Sequence, residues 1–163
     1  MSHPPASALT PRAFRDALGR YTTGVCVVTT QSDDGPVGIT ANSFASVSLD
    51  PPLVLWSPAR TSLRFPAFAN AQHFAIHVLG HDQREICERF ASGGGSFEGL
   101  TLGQTTGGAP ELPGCLAVFD CTLSATHDGG DHLVIVGEVT DAQIRDGAPL
   151  VFLGGQYGQF EAN

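Results

Sequence analysis

The chain contains no lysine: all eight of its cations are arginine, against sixteen acidic residues, for a net charge of −8. Without lysine there is no P-loop of the usual kind and no Schiff-base chemistry. The acidic balance and the lack of any basic stripe exclude a general nucleic-acid partner, so any phosphate site must be local. No apolar run approaches eighteen residues, which excludes a membrane-spanning helix. Cys26, Cys87, Cys115 and Cys121 show no C-x-x-C spacing, and Met1 to Thr10 has no apolar core of a signal peptide, so free thiols in a reducing cytoplasm are expected. Gly154-Gly155-Gln156-Tyr157-Gly158 is glycine-rich, but only five residues follow it. No helix remains to complete a dinucleotide-binding βαβ unit.

What is present is β-forming. Twenty glycines, eleven prolines and many short Val/Ile/Thr-rich runs, with 42% hydrophobic residues in 163, predict a β-dominated single domain over residues 1–163 with an N-terminal tail over 1–10. Gly38 to Asp50 reads as an extended strand running into Pro51-Pro52. On a two-residue period Thr40, Asn42, Ser46 and Ser48 face one side, and Ile39, Ala41, Ala45 and Val47 the other. Apart from Phe44 the side chains are small, so a flat ligand could lie against the backbone and be held by amides and hydroxyls. The plainer alternative is a half-exposed strand with a Ser/Thr outer face.

Thr10-Pro11 starts a helix over 11–20 with Phe14, Leu18 and Tyr21 on one face. Gly24 to Thr30 predicts a buried strand that turns at Asp33-Asp34-Gly35-Pro36 into the Thr40 strand. Leu53 to Trp56 is a third strand, followed by the loop Ser57-Pro58-Ala59-Arg60-Thr61-Ser62 and a short helix holding Pro66 in its first turn. Ser57, Arg60, Thr61 and Ser62 beside a helix entrance suit a phosphate; alternatively Thr61 or Ser62 is only the N-cap. Phe74 to Leu79 alternates as a strand, and Asp82 with Glu85 predicts a capping pair opening a helix to Phe90. His73, His77 and His81 do not form a metal site, because strand residues four apart lie roughly 13 Å apart. An irregular stretch from Ser92 to Pro113, with Phe97 and Leu100 as anchors, has the length of a lid. Cys115–Ala125 and Leu133–Ile144 predict two long strands joined by a turn over His127 to His132, and Pro149 to Leu153 a last one.

Thr40-Ala41-Asn42-Ser43-Phe44, the Ser-rich segment after it with Pro51-Pro52, and Gly130-Asp131-His132 before a strand together resemble the short-chain flavin reductases, over roughly Phe14 to Phe160. The resemblance implies an all-β-dominated, FMN-binding split β-barrel of Greek-key type with few short helices. It implies a homodimer that oxidises NADH or NADPH and supplies reduced FMN or FAD to a partner flavin-dependent monooxygenase. Residues matching Thr40, Ala41, Asn42 and Ser43 contact the isoalloxazine and ribityl in that family, with Ser46 and Ser48 on the same polar edge, and those matching Ser57, Arg60, Thr61 and Ser62 hold the phosphate. Ser96-Phe97-Glu98 departs from the family, which often carries a basic residue before the aromatic. Hydride transfer between stacked rings needs few side chains. His132 is the polar candidate on the nicotinamide side, where it could hydrogen-bond the carboxamide or offset charge on reduced flavin; otherwise it caps a strand. Tyr157 is a second candidate there, or an ordinary core or interface aromatic. Two other classes stay open: a pyridoxamine-phosphate-oxidase-like flavoprotein, which needs more basic residues than this chain has, and a non-enzymatic binding or dimerisation module.

Overall fold

The computed structural model describes residues 9–92 and 97–163. Most of the expected N-terminal tail, and Ser96 with the glycines before it, lie outside the described residues.

Helix α1 spans Pro11–Leu18, with the Thr10 side chain accepting from the Ala13 amide at 3.1 Å and proline in its first turn. Strands β1 (Thr23–Gly24) and β2 (Cys26–Ser32) follow. A hairpin carries β2 into β3 (Gly35–Ala41), in register from Cys26 opposite Ala41 to Ser32 opposite Gly35. Strand β4 (Ala45–Leu49) pairs with β5 (Pro52–Trp56) through a tight turn whose Asp50–Pro51 peptide is cis. Helix α2 (Phe65–Ala69), β6 (His73–Val78), a 3-10 turn (His81–Gln83) and α3 (Arg84–Ala91) come next. Short strands β7 (Gly103–Gln104) and β8 (Pro110–Glu111) lead to the long hairpin β9 (Ala117–Gly129) and β10 (His132–Ile144), and the chain ends in β11 (Val151–Leu153) and β12 (Gln156–Gly158).

The main sheet runs β3-β2-β6-β9-β10-β5-β4. Laid flat, seven strands spaced about 4.8 Å apart would put its outer strands about 29 Å apart. Those two strands, β3 and β4, are joined by residues 42–44 alone, and a link of that length spans at most about 14 Å. The sheet therefore rolls until its edges approach, which makes it a barrel split along the seam between β3 and β4. The single extended strand expected over Gly38–Asp50 is thus two strands on opposite edges, broken at Asn42-Ser43-Phe44, and a bulge between Ser46 and Ser48 breaks its two-residue period again.

Over Val25 to Val28, at the start of β2, the alternation sorts two cores. Cys26 and Val28 join the barrel interior with Trp56, Phe68, Phe74, Ile76 and Ile135, whereas Val25 and Val27 join an outer cluster with Leu79, Cys87, Phe90, Leu112 and Leu150. Burial on both faces is why this strand reads as an unbroken apolar run. Helix α2 plugs the interior with Phe68, edge-on to Trp56 at 5.0 Å between ring centroids. At Gly137, on β10, a Cβ would lie 2.6 Å from Phe74 Cζ, so the missing side chain is what lets that ring sit on the strand.

The outer cluster is covered by α3 and by the segment from Phe97 to Leu112, whose Phe97 ring packs tilted against Phe90 at 4.8 Å between centroids. Phe97 and Leu100 are the anchors expected there. Arg64 ties this cover to the barrel: its Nη1 donates to the carbonyls of Gly38 (2.8 Å) and Phe90 (2.7 Å), and its Nη2 to that of Ser92 (2.7 Å). Asp82 and Glu85 do not cap α3 as expected; instead Gln83 Oε1 accepts from the Gly80 amide at 3.0 Å, which closes the 3-10 turn ahead of the helix.

His77 is buried. Its Nδ1 lies 3.0 Å from the Val27 carbonyl and its Nε2 accepts from the Leu112 amide at 3.2 Å, so Nδ1 carries the proton and the ring is neutral. Burial pushes its pKa down to about 4. Among the described residues no group of three His, Cys, Asp or Glu side chains is placed to hold a metal, and no helix is long and apolar enough to cross a membrane. All four cysteines are free and buried, and burial raises Cys26 and Cys121 to about 12 and Cys115 to about 11, so none is a ready nucleophile.

Candidate active site

The break at residues 42–44 creates the site's centre. Ser43 is turned toward the end of β5, where its Oγ accepts from the Ser57 amide at 2.9 Å and its hydroxyl donates to the Ser57 carbonyl at 3.4 Å. These bonds hold the seam at one point and fix the direction in which the Ser57–Ser62 loop departs. Asn42, Ser43, Phe44 and Ala45 line an open groove of about 1450 Å³, with the end of α1, Tyr21 to Gly24 and the Gly154-Gly155 turn on its other walls. That volume exceeds the range of about 300–1,000 Å³ usual for small-molecule sites, as for a cleft open to solvent. A smaller hollow of about 670 Å³ beside Arg64 contains none of the sequence-predicted site residues.

The loop from Ser57 is stitched to the tip of the β9–β10 hairpin. Ala59 and His132 form an isolated antiparallel bridge, the Arg60 amide donates to the Asp131 carbonyl at 2.9 Å, and the Leu133 amide donates to the Pro58 carbonyl at 3.1 Å. The hairpin turn is only Gly130-Asp131, with Gly130 at φ +75°, as a two-residue connection with glycine first requires. His127 and Asp128, expected in the turn, belong to β9. Asp131 Oδ1 lies 2.7 Å from His132 Nδ1, and this hydrogen bond holds the Asp131 carboxyl below its ordinary pKa. An ionised acceptor puts the ring proton on Nδ1 and leaves Nε2 unpaired among the described residues.

The structure thus brings Asn42, Ser43, Ser57, Arg60 and His132 into one connected region. Thr61 is exposed and makes no side-chain hydrogen bond among the described residues; Ser62 Oγ accepts from the Arg64 amide at 3.2 Å, closing a turn before α2. Helix α2 begins at Phe65 with no side-chain cap and has five residues, so the charge it presents at its entrance is small. Arg60, expected as a free phosphate donor, is already engaged: its Nη2 donates to Asp128 Oδ1 at 2.8 Å and its Nε to the Gly130 carbonyl at 3.0 Å.

Other residues lie elsewhere. Thr40 donates to the Cys87 carbonyl at 2.7 Å beneath α3, and Ala41 packs into the barrel interior. Ser46 and Ser48 stand on the open edge strand β4. Tyr157 packs against Phe152 (5.2 Å) and under the Arg84 guanidinium (5.1 Å). Contact with the Cys87 thiol, then burial, raises its pKa to about 12. Its contacts are with the outer cluster, not with the His132 turn. Sequence reasoning missed the Gly154-Gly155 wall. Both glycines have positive φ (58° and 82°), the signature of a type I′ turn between the short strands β11 and β12, and paired glycines between two short β-forming runs were the available signal.

A rolled antiparallel barrel with a cleft at its seam, polar groups on both sides of that cleft and a histidine at a hairpin tip define a small split-barrel protein with a cleft open to solvent. The model of the flavin reductase like domain matches residues 18–161, and the chain belongs to that family. It is 57% identical over 149 residues to the protein named FMN reductase (NADH) SmoA of Agrobacterium fabrum, covering 91% of this chain and 86% of that one. It is 43% identical to the flavin-dependent monooxygenase reductase subunit HsaB of Rhodococcus jostii, covering 96% and 81%. The structure of the NADH:FAD oxidoreductase SgcE6 of Streptomyces globisporus superposes with a TM-score of 0.88 at 32% identity, covering 99% of this chain and 96% of that one.

Proposed function

We propose that this protein is an NADH-dependent flavin reductase that passes reduced FMN or FAD to a partner flavin-dependent monooxygenase. The supporting observation is the stitched seam: the Ser43–Ser57 bonds and the Ala59–His132 bridge link the strand break, the polar loop and the histidine in one connected run of contacts. The residues fit a flavin. Asn42 and Thr61 have side chains with no hydrogen-bond partner among the described residues, and the groove between Asn42 and the end of α1 has room for a ring system edge-on to backbone.

What a bound flavin supplies is the capacity to accept a hydride from a nicotinamide. The chain's part is orientation and charge. Asn42, Ser43 and the neighbouring amides hold the ring portion, and Ser57, Thr61 and Ser62 are placed for the phosphate end. Asp131 fixes the His132 ring with Nε2 toward the nicotinamide side, where as imidazole it accepts from a carboxamide N–H and as imidazolium it donates to the carboxamide oxygen or offsets negative charge.

The working unit is a homodimer of single-domain chains in the cytoplasm. Supporting the dimer, α1 has no buried residue; its Phe14 and Leu18, with Tyr21 just beyond its end, are 50%, 57% and 78% exposed, and Leu18 and Tyr21 line the groove. Exposed apolar patches of this kind mark interaction surfaces, and a second copy of the chain would cover this one. Titration with FMN and with FAD, read by quenching of flavin fluorescence, followed by anaerobic mixing with NADH or NADPH, tests the reading. Saturable binding and bleaching of the flavin are expected; no saturable binding at micromolar protein refutes it.

A further inference from the structure

Arg60 stands in the loop assigned to phosphate, yet its hydrogen bonds run the other way. Its guanidinium reaches across to the hairpin tip, donating through Nε to Gly130 and through Nη2 to Asp128, while its own amide holds the Asp131 carbonyl. Its guanidinium carbon also stands 5.8 Å from the centre of the Phe65 ring, which limits where the fork can swing. We propose that Arg60 is a positioning residue for His132 and not a ligand of the flavin phosphate.

Residues 128–131 are all exposed, and a two-residue turn at the end of a long hairpin has little of its own to hold it. Among the described residues, the Ala59–His132 bridge, the Leu133–Pro58 bond and the three bonds from Arg60 tie it to the body of the protein. Two of those three come from one planar fork, which sets direction as well as distance. The fork holds the tip through Gly130 and Asp128, both just before His132 in the chain, and the Arg60 amide holds Asp131, whose carboxylate grips Nδ1. Displacing a catalytic contact by about 1 Å can cost up to a hundredfold in rate, so the fork has leverage that its solvent-exposed ion pair lacks as a source of stability.

The proposal rests on the functional reading above, and the test separates the two. Four full-length proteins are compared: wild type, Arg60→Ala, Arg60→Lys and Asp128→Ala. For each, flavin affinity is measured by fluorescence quenching, the rate of flavin reduction by NADH is followed across pH in stopped flow, and exchange of the Leu133 amide is followed by mass spectrometry or NMR. Arg60→Ala is expected to leave flavin affinity within about twofold, to slow reduction roughly tenfold with a pH profile displaced from wild type, and to speed Leu133 exchange. Arg60→Lys keeps the charge but not the fork, and should not restore the rate. Asp128→Ala, which leaves Arg60 itself intact, should reproduce part of the loss in rate.

With an active wild type, the assignment alone is overturned if Arg60→Ala weakens flavin binding tenfold or more, if Arg60→Lys restores the rate, or if Asp128→Ala tightens flavin binding by freeing the guanidinium. A wild type that binds flavin but does not reduce it with NADH overturns the functional reading and this assignment with it.

Discussion

Lowering the pH should loosen the outer cover of the barrel through one side chain, His77. The ring is fully buried as a neutral group, donating from Nδ1 to the Val27 carbonyl and accepting at Nε2 from the Leu112 amide, and burial brings its pKa from 6.5 to about 4. The unfolded chain binds a proton at this position below about pH 6.5, whereas the folded chain does so only near pH 4. Stability from His77 is therefore complete above 6.5, falls as the pH drops through that window, and is lost once the pH passes the folded value. A tenfold difference in proton affinity between the folded and unfolded chain corresponds to about 1.36 kcal/mol, so the full effect is about 3 kcal/mol, of which about 1 kcal/mol is gone by pH 5.5. Protonation sets Nε2 against the Leu112 amide, both then being donors, and this is the contact that holds the β8 segment to β6. Urea denaturation of wild type and His77→Gln at several pH values between 7.5 and 4.5 isolates this contribution. The stability gap between the two proteins should shrink by roughly 2 to 3 kcal/mol across that range. A gap that stays constant with pH would refute the neutral, doubly bonded assignment of the ring.

Three further outcomes are expected. Replacing Thr61 by alanine should weaken flavin binding by about 1.5–3 kcal/mol, or about ten- to a hundredfold in Kd, while thermal stability stays near wild type because the hydroxyl has no partner among the described residues; unchanged affinity removes Thr61 from the phosphate site. Gly137→Ala would put a Cβ 2.6 Å from Phe74 Cζ and 3.0 Å from Cys121 Cβ. It should destabilise the barrel by about 1–3 kcal/mol by overpacking, read as a lowered midpoint in urea at unchanged slope. Leu18→Glu on the exposed face of α1 should turn a dimer into a monomer in sedimentation velocity, and a wild type that already sediments as a monomer contradicts the dimer.

The sequence by itself determined the local elements and the family. Thr10-Pro11 opens α1, the apolar run at Gly24–Thr30 marks a strand buried on both faces, and Asn42-Ser43-Phe44 with Gly130-Asp131-His132 carries the family likeness. Each of these signals is short-range, set by capping, by side-chain alternation or by turn chemistry. Tertiary structure decided what alternation cannot express. Period two says which face a side chain takes, but not which strand lies beside it. The Thr40–Ser48 stretch therefore read as one polar edge, although closing the barrel sends its halves to opposite sides of the seam and takes Thr40 to Cys87. Arg60 read as a free cation for the same reason, because its partners lie 68 and 70 residues further along the chain. Only the folded sheet brings the end of β5 against the tip of the β9–β10 hairpin, and there the nearest carbonyl and carboxylate take the guanidinium's hydrogen bonds.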